Sequence, residues 1–324
     1  MAAIEQPPID VVAGVIRDEF GRILLSKRPP GRHLENLWEF PGGKLEPNET
    51  RPDALRRELN EEVGLETLEA QPLLSVTHAY PEKTIRLWLY LVTQFNGEAK
   101  GLEGQALQWV EPDQLPLMEL PAADRPVVRV LPLGGQYALS LDPAEFTHTH
   151  DFLWRWQNCL ESGVRLLCLR GGDDSLQYIN PWLPELESLT RQHDARWMVS
   201  GRLEHSLNCP ADGVHLDCHQ LAMLTRRPID PERLLGASCR NLADIRRAEA
   251  LGADFITLAP VHPEAGHAAT PSLGWDGLAA LIAQSGLPVY ALGGLDPDQL
   301  AQARRLGAFG VAGASQFGWH RNHD

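Results

Sequence analysis

The chain has 324 residues, 43% of them hydrophobic, and a formal net charge of −14. Since domains typically hold roughly 100–200 residues, this length predicts two domains. The acidic balance argues against stable binding to nucleic acid, which needs basic surface, but leaves a nucleotide substrate open. No stretch reaches the ~18–20 apolar residues of a membrane helix, and the five cysteines lack CxxC spacing. We therefore expect a cytoplasmic protein with reduced thiols and no membrane partner; the oligomeric state stays open.

The first 131 residues predict a mixed sheet with one strong helix. The predicted strands are VVAGVI from residue 11, ILLSKR from residue 23, and segments 73–79, 85–95 and 107–110. The first two are expected to pair around the turn at 18–21. The segment LPLGG at 131–135 carries Pro and two glycines, which favours a domain boundary there.

We accordingly place a first domain at 1–131, a linker at 132–136 and a second domain at 137–324. In the second domain, eight short apolar runs alternate with helical stretches, as parallel βα units do. The runs are YALS at 137, RLLCLR at 165, WMVS at 197, GVHL at 213, LLGAS at 234, FITLAPV at 255, PVYALGG at 288 and GVAGAS at 310. This alternation favours a (β/α)₈ barrel of the TIM type, with a three-layer open sheet as the alternative.

The strongest chemical signal is GKLEPNETRPDALRRELNEEVGL at 43–65. Thr50 suits the N-cap of a helix and Gly64 suits the position after its end. At about 100° per residue, three glutamates fall on one helical face, beside an apolar stripe of Leu55, Leu59 and Val63. The three glutamates are Glu58, Glu61 and Glu62. Such closely spaced carboxylates repel one another unless a cation binds them, and hard oxygen ligands favour Mg²⁺, with Mn²⁺ as the alternative.

This segment matches G-x5-E-x7-R-E-L-x-E-E-x-G-L without a substitution and is identified as a Nudix signature. A Nudix domain is an α/β/α sandwich with a mixed sheet that hydrolyses pyrophosphate bonds. The resemblance implies a metal site of three helix glutamates, a backbone carbonyl of the glycine pair, and a further carboxylate in GLEGQ; these residues are Glu58, Glu61, Glu62, Gly42, Gly43 and Glu103. Arg57 and Glu49 would orient those ligands. Glu103 is either an additional ligand or a general base, and a solvated loop acid is the alternative.

Residues 11–131 also resemble MutT-type enzymes, which hydrolyse 8-oxo-dGTP to a nucleoside monophosphate and pyrophosphate. The matching stretches include LWEFPGGKLE and LPAADRPVV. The resemblance implies a substrate site formed by Arg28, His33, Glu39, Phe40, Pro41, Gly42, Lys44 and Asp124. Asp124 stands where the bacterial family commonly has an Asn that reads the purine edge. An ionised Asp accepts only, so Asp124 must be protonated to donate as an amide does, or must use another base edge.

Residues 136–317 resemble thiamine-phosphate synthase and thiazole tautomerase, on stretches such as ADGVHL and PVYALGGL. The resemblance implies a phosphate site at Gly293, Gly294, Ala314 and Ser315; tight turns are the alternative reason for the glycines. The synthase acids are replaced by Gly201 and Gln220. Arg170 alone remains of the Q-x-R-x-K strand, and the T-x-T-K loop is replaced by 264–267.

These losses predict a degenerate barrel that binds a phosphorylated small ligand. Four histidines are candidates for a rebuilt proton-transfer site, with a structural role as the alternative. They are His215, His219, His262 and His267. The leading hypothesis is therefore hydrolysis of oxidised nucleoside triphosphates, with the barrel as an appended ligand-binding domain. Two alternatives stay open: a thiamine-pathway fusion that hydrolyses a pyrimidine or thiamine diphosphate, and a barrel that serves as a noncatalytic sensor or scaffold.

Overall fold

The computed structural model describes residues 7–31, 34–172, 180–263 and 271–319. Its contacts divide the chain into two units. They are Met1–Arg129 with Ile282–Gly286, and Val130–Leu281 with Leu287–Asp324. The bounds of the two domains and of the linker at 132–136 stay a prediction. Among the residues that the structure describes, no helix is both long enough and apolar enough to cross a membrane.

The first unit contains two sheets and one long helix. Its elements are β1 (Ile9–Ile16), β2 (Ile23–Lys27), β3 (Trp38–Glu39), β4 (Gly42–Lys44), α1 (Arg51–Val63), β5 (Glu66–Ala79), β6 (Thr84–Asn96), β7 (Leu107–Val110) and α2 (Arg125–Val130). One sheet has the order β4-β1-β6-β5, and the other has the order β3-β2-β7. Strands β1 and β6 are parallel, whereas the other pairs are antiparallel. The prediction of a mixed sheet is confirmed.

The predicted pairing of the first two strands is wrong. Strand β1 already has β4 on one edge and β6 on the other, so neither edge is open to β2. Strand β2 pairs with β3 and β7 in the second sheet instead. Between the end of β1 and the start of β2 there is one isolated antiparallel bridge, from Arg17 to Ile23. A short loop between two apolar strands is therefore not sufficient evidence for a hairpin.

Helix α1 begins and ends where the sequence predicts. The Thr50 side chain accepts a hydrogen bond from the Asp53 backbone N–H, and Gly64 ends the helix in the left-handed conformation with φ of 69°. Leu55, Leu59 and Val63 are buried against the first sheet. Because this apolar stripe orients the helix, the glutamate face next to it is directed toward the glycine strand β4.

The second unit is a closed barrel of eight parallel strands, which confirms the barrel and excludes the open sheet. Its strands are β8 (Gln136–Leu139), β9 (Leu166–Arg170), β10 (Arg196–Ser200), β11 (Gly213–Leu216), β12 (Leu234–Cys239), β13 (Phe255–Leu258), β14 (Val289–Leu292) and β15 (Gly310–Gly313). The helices are α3 (Thr149–Glu161), α4 (Leu183–Gln192), α5 (Leu203–Asn208), α6 (Cys218–Met223), α7 (Leu242–Leu251), α8 (Gly274–Ile282) and α9 (Leu300–Arg305). Bulky rings of Tyr137, Phe255 and Tyr290 fill the interior, so the barrel is a packed core rather than a pore.

The packing of α1 predicts the effect of a core truncation. Leu59 is fully buried in the cluster around Val12, Leu24 and Tyr90. Leu59→Ala should lower the free energy of unfolding of the first unit by about 2–5 kcal/mol, because it removes buried methyl groups and leaves a cavity. Guanidinium unfolding monitored by circular dichroism measures this loss. Leu68→Ala, at a position that is half exposed on β5, is the matched control and should change the midpoint little; equal losses would contradict this packing.

Candidate active site

A single cavity of about 370 Å³ in the first unit brings together most of the predicted site residues. Ten of them line it: Arg28, Glu39, Phe40, Gly42, Gly43, Lys44, Glu58, Glu62, Glu103 and Asp124. Glu49, Arg57, Glu61 and Pro41 lie outside the lining, and His33 lies outside the described residues. Strands β1 and β6 supply an apolar floor of Val11, Ala13, Ile85 and Leu87.

Glu62 is the most enclosed of the three helix glutamates. Its Oε2 accepts a hydrogen bond of 2.7 Å from the Gly42 backbone N–H, and its Oε1 accepts one of 2.7 Å from the Ser26 hydroxyl. Burial raises the pKa of Glu62, while the bonds from Ser26 and Gly42 oppose that rise and Glu103 adds to it. The carboxylate is thus held in one orientation by donors from two strands.

Glycine at position 43 permits the close approach of β4 to α1. A Cβ built there would overlap the carboxyl group of Glu58, and one built at Gly42 would overlap the backbone of β1. Gly42 also has φ of 155°, in the region that favours glycine. Two independent steric limits therefore explain the glycine pair. The Pro41 carbonyl, just before it, accepts a hydrogen bond from the Gly14 N–H and anchors the loop to β1.

Arg57 links the acidic residues that flank this loop. Its guanidinium donates to Glu49 Oε1 at 3.0 Å, to Glu58 Oε1 at 2.8 Å and to Glu61 Oε2 at 3.3 Å, and also to the Lys44 carbonyl. Hydrogen bonding to Glu49 and Glu58 raises the pKa of Arg57, and the same bond from Arg57 lowers the pKa of Glu49. Glu61 is 60% exposed at this end of the network, so its role as a metal ligand stays a prediction.

Glu103 lines the cavity from an exposed loop, and the nearby Gln105 connects that loop to α1. Gln105 Nε2 donates to the Glu62 carbonyl at 2.8 Å, and Gln105 Oε1 accepts from the Glu103 N–H at 2.9 Å. The sequence analysis missed Gln105. Its place two residues after Glu103 in GLEGQ was the only available signal, because an amide carries no charge pattern.

The donor set of the cavity fits a hard divalent cation. Carboxylates of Glu58, Glu62 and Glu103 line one cavity together with the backbone of the glycine pair, and such oxygens are the ligands that Mg²⁺ takes. Within the described ranges, no three His, Cys, Asp or Glu side chains are already clustered at metal-binding spacing. The fit therefore rests on donor type and on the shared cavity.

The other end of the cavity carries a buried acid next to an ion pair. Arg28 pairs with Glu39 across β2 and β3, and Asp124, only 6% exposed, lines the same wall. Burial raises the pKa of Asp124 to about 8; the charge of Glu39 adds to the rise, and that of Arg28 opposes it. At neutral pH the Asp124 carboxyl is therefore predominantly protonated, so it can both donate and accept a hydrogen bond.

Two further residues of this end come from the turn between β5 and β6. Tyr80 and Lys83 both line the cavity, and the backbone of Ala123 hydrogen-bonds the Tyr80 hydroxyl. Burial raises the pKa of Tyr80, and the charge of Asp124 contributes to that rise. Sequence reasoning missed both residues, since nothing in YPEKT distinguishes this turn from an ordinary strand connection.

In the barrel, the predicted phosphate residues lie at the carboxyl ends of two neighbouring strands, β14 and β15. Gly293 and Gly294 follow β14 with φ of 105° and 62°, while Ala314 and Ser315 follow β15. His215 is buried inside the barrel, with Nδ1 3.2 Å from the Tyr137 hydroxyl and Nε2 3.0 Å from the Ser238 hydroxyl. Burial lowers the pKa of His215 to about 4, so its imidazole is neutral at neutral pH.

The two positions that replace the synthase acids bind each other. Gln220 Nε2 donates to the Gly201 carbonyl at 2.7 Å, while Gln220 Oε1 accepts from the Asp217 N–H in a capping box at the start of α6. Both ends of the Gln220 amide are thus used within the fold. Arg170 lies at the end of β9, where its Nε donates to the Ser140 carbonyl. His219 is exposed on α6, and 264–267 lie outside the described residues.

Two separate regions of the chain match two different families of known proteins. A family model described as NUDIX domain matches residues 11–130, and one described as thiamine monophosphate synthase matches residues 141–317. The 8-oxo-dGTP diphosphatase of Haemophilus influenzae is 42% identical over 123 residues, which is 38% of this chain and 90% of that protein. The CTP pyrophosphohydrolase of Escherichia coli is 38% identical over 120 residues, 37% of this chain and 88% of that protein. The putative thiamine-phosphate synthase 2 of Aquifex aeolicus is 31% identical over 167 residues, 52% of this chain and 90% of that protein.

The first unit is therefore a Nudix hydrolase domain, and the chain is an enzyme. More particularly, the chain belongs both to the MutT-type 8-oxo-dGTP diphosphatase family, through its N-terminal region, and to the thiamine monophosphate synthase family, through its C-terminal region.

The glycine pair predicts how the metal site responds to a single methyl group. Gly43→Ala should weaken Mn²⁺ binding by about tenfold or more, because the new methyl displaces the Glu58 carboxyl group. Electron paramagnetic resonance measures the free Mn²⁺. Gly277→Ala, where a Cβ meets only ordinary contacts, is the control. Unchanged affinity in Gly43→Ala would show that Glu58 does not bind the cation.

Proposed function

We propose that this protein hydrolyses oxidised nucleoside triphosphates, with 8-oxo-dGTP as the main substrate, to the nucleoside monophosphate and pyrophosphate in a Mg²⁺-dependent reaction. One observation carries the proposal: the acidic, cation-compatible end and the protonated Asp124 belong to the same cavity. Water adds to a phosphorus atom beside the α–β bridging oxygen, the P–O bond to that oxygen breaks, and one proton is released.

Within this proposal, Glu58, Glu62, Glu103 and the carbonyls of Gly42 and Gly43 hold the metal, with Glu61 at the exposed edge. When bound there, Mg²⁺ would neutralise phosphate charge and stabilise the negative charge that develops on the leaving group. Arg57 and Glu49 keep the Glu58 carboxylate in place through the bonds described above. Glu103 either binds the cation or accepts the proton of the attacking water. Lys44 and Arg28 contact the phosphates or the nucleoside, and Glu39 to Gly42 line the base site.

At the base end, the neutral Asp124 carboxyl replaces the amide of the bacterial family. Its O–H donates to O6 of the oxidised guanine, and its carbonyl oxygen accepts from N7–H, which ordinary guanine lacks. A substrate pocket strongly rejects a base that would leave buried polar groups of the pocket without hydrogen-bond partners. Burial of Asp124 therefore supports a preference for 8-oxo-dGTP over dGTP.

We further propose that the barrel, residues 137–324 after a linker at 132–136, is a degenerate domain that binds a phosphorylated small ligand at Gly293, Gly294, Ala314 and Ser315. The bonding of Gln220 to Gly201 supports the loss of synthase activity, because no carboxylate remains at those positions to hold a metal and a diphosphate. Membership in the thiamine monophosphate synthase family favours a second candidate, in which the first unit hydrolyses a pyrimidine diphosphate.

The function is tested by pyrophosphate release with Mg²⁺ from 8-oxo-dGTP, dGTP, dCTP and CTP, and by phosphate release from hydroxymethylpyrimidine diphosphate. We expect the highest kcat/KM with 8-oxo-dGTP, and a loss of about 10²-fold or more in kcat in Glu62→Gln, which keeps the shape but removes the charge. Glu66→Gln, on an exposed part of β5, is the control. Turnover of the pyrimidine diphosphate without turnover of the triphosphates would refute the proposal and favour the thiamine-pathway alternative; CTP as the best substrate would refute the base assignment alone.

The protonation of Asp124 predicts a pH dependence. The acid is neutral below pH about 8 and loses its O–H as the pH rises through that value. The kcat/KM of the wild type relative to that of Asp124→Asn should therefore fall between pH 7 and pH 9.5, because the Asn amide keeps its donor throughout. The ratio cancels titrations common to both enzymes. A ratio that stays constant over this range would show that Asp124 does not donate to the base.

A further inference from the structure

His262 lies beside the glycine loop of the barrel. The backbone N–H of Val261 donates to the Leu292 carbonyl at 2.9 Å, and that of His262 donates to the Gly293 carbonyl at 3.1 Å. The chain after β13 thus continues alongside the chain after β14 beyond the ends of both strands. These two hydrogen bonds place the His262 backbone level with Gly293 at the carboxyl end of the barrel.

Glycine at position 294 permits the close approach of this loop to His262. Gly294 has φ of 62°, and a Cβ built on it would lie 2.9 Å from the Cβ of His262. A Cβ built on Gly293 would lie 2.8 Å from the Cα of Pro260. Any other residue at either position would push the two segments apart, so the glycines keep His262 next to the loop backbone.

The segment of sequence that carries His262 and the glycine loop is poor in positive charge. The last lysine of the sequence is Lys100, so the barrel has none, and residues 248–303 contain neither Lys nor Arg. The basic side chains in that stretch are His262 and His267, and His267 lies outside the described residues. A phosphate monoester carries up to two negative charges and binds best where a cationic donor faces it.

The imidazole of His262 is available for such a ligand. Its ring contacts Trp275 edge to face, with centroids 5.4 Å apart, and is partly exposed. Among the described residues it makes no hydrogen bond or ion pair, whereas the buried His215 has a polar neighbour at each ring nitrogen. Trp275 thus supports the ring through an apolar contact, and neither ring nitrogen has a polar partner among the residues that the structure describes.

We propose that His262 is a side-chain hydrogen-bond donor of the barrel phosphate site and binds a small phosphate monoester together with the Gly293–Gly294 loop. This inference rests on the phosphate-binding role proposed for the barrel. It gives the glycine loop a side-chain donor from a segment of sequence that contains neither Lys nor Arg. The contact with Trp275 then couples ligand binding to the environment of that indole.

The test uses the full-length protein labelled with 5-fluorotryptophan and titrated with inorganic phosphate in the presence of EDTA. The ¹⁹F resonance of Trp275 is assigned from its absence in Trp275→Phe. This resonance reports on the surroundings of His262, whereas the resonances of Trp38, Trp88 and Trp109 report on the first unit. His262→Phe keeps an aromatic ring against Trp275 but removes both nitrogens. His219→Phe, which changes an exposed histidine on α6, is the matched control.

We expect a saturable shift of the Trp275 resonance in the wild type and in His219→Phe. In His262→Phe the apparent Kd should rise by about tenfold or more, as the loss of one charge-assisted hydrogen bond requires. His262→Arg should restore much of the affinity, because it returns a cationic donor. Equal affinities in wild type and His262→Phe would overturn the assignment of His262 and leave the barrel phosphate site intact. Absence of any saturable shift at Trp275 in the wild type would overturn that site and this inference together, without bearing on the hydrolase.

Discussion

The close approach of the glycine strand to the acidic helix is the constraint on which the rest of the active site depends. Gly42 and Gly43 leave no room for a Cβ, so the Gly42 N–H reaches Glu62 and the backbone of β4 reaches Glu58. The buried stripe of Leu55 and Leu59 holds α1 in the orientation that makes this approach useful. Carboxylates are thereby concentrated in a cavity whose floor is apolar, so the same cavity offers oxygen ligands for a cation and an apolar surface for an organic group.

The barrel has the framework of its family, whereas the two positions at which the resemblance implies acids in the synthase are Gly201 and Gln220 in this sequence. Eight parallel strands close around packed rings, and glycines still follow β14. Gln220 donates a hydrogen bond to the Gly201 carbonyl and takes part in the capping box at the start of α6, so its amide is used within the fold. If synthase activity is lost, as we propose, the exchange of acids for these residues would remove charge without disturbing the barrel core, because polar side chains at the strand ends contribute little to that core.

Local signals in the sequence predicted the parts of the fold that local chemistry determines. The caps at Thr50 and Gly64 bounded α1, and the recurrence of buried runs identified all eight barrel strands. Pairing is a long-range property, which is why the β1–β2 hairpin was predicted wrongly: β1 pairs with β6, and each residue of β1 lies 76 positions before its partner, as Ile9 does before Ile85. The protonation state of Asp124 likewise could not be predicted from the sequence, because the pKa of this carboxyl depends on burial and on the neighbouring Glu39.

A crystal structure of the protein with Mn²⁺ and 8-oxo-dGMP, the product of the proposed reaction, would show both ends of the cavity at once. We expect anomalous density from Mn²⁺ among Glu58, Glu62 and the glycine pair, with the oxidised base hydrogen-bonded to Asp124 through O6 and N7–H. Mn²⁺ bound away from these glutamates, or a base that does not contact Asp124, would contradict the claim that one cavity joins metal-dependent hydrolysis to recognition of the oxidised base.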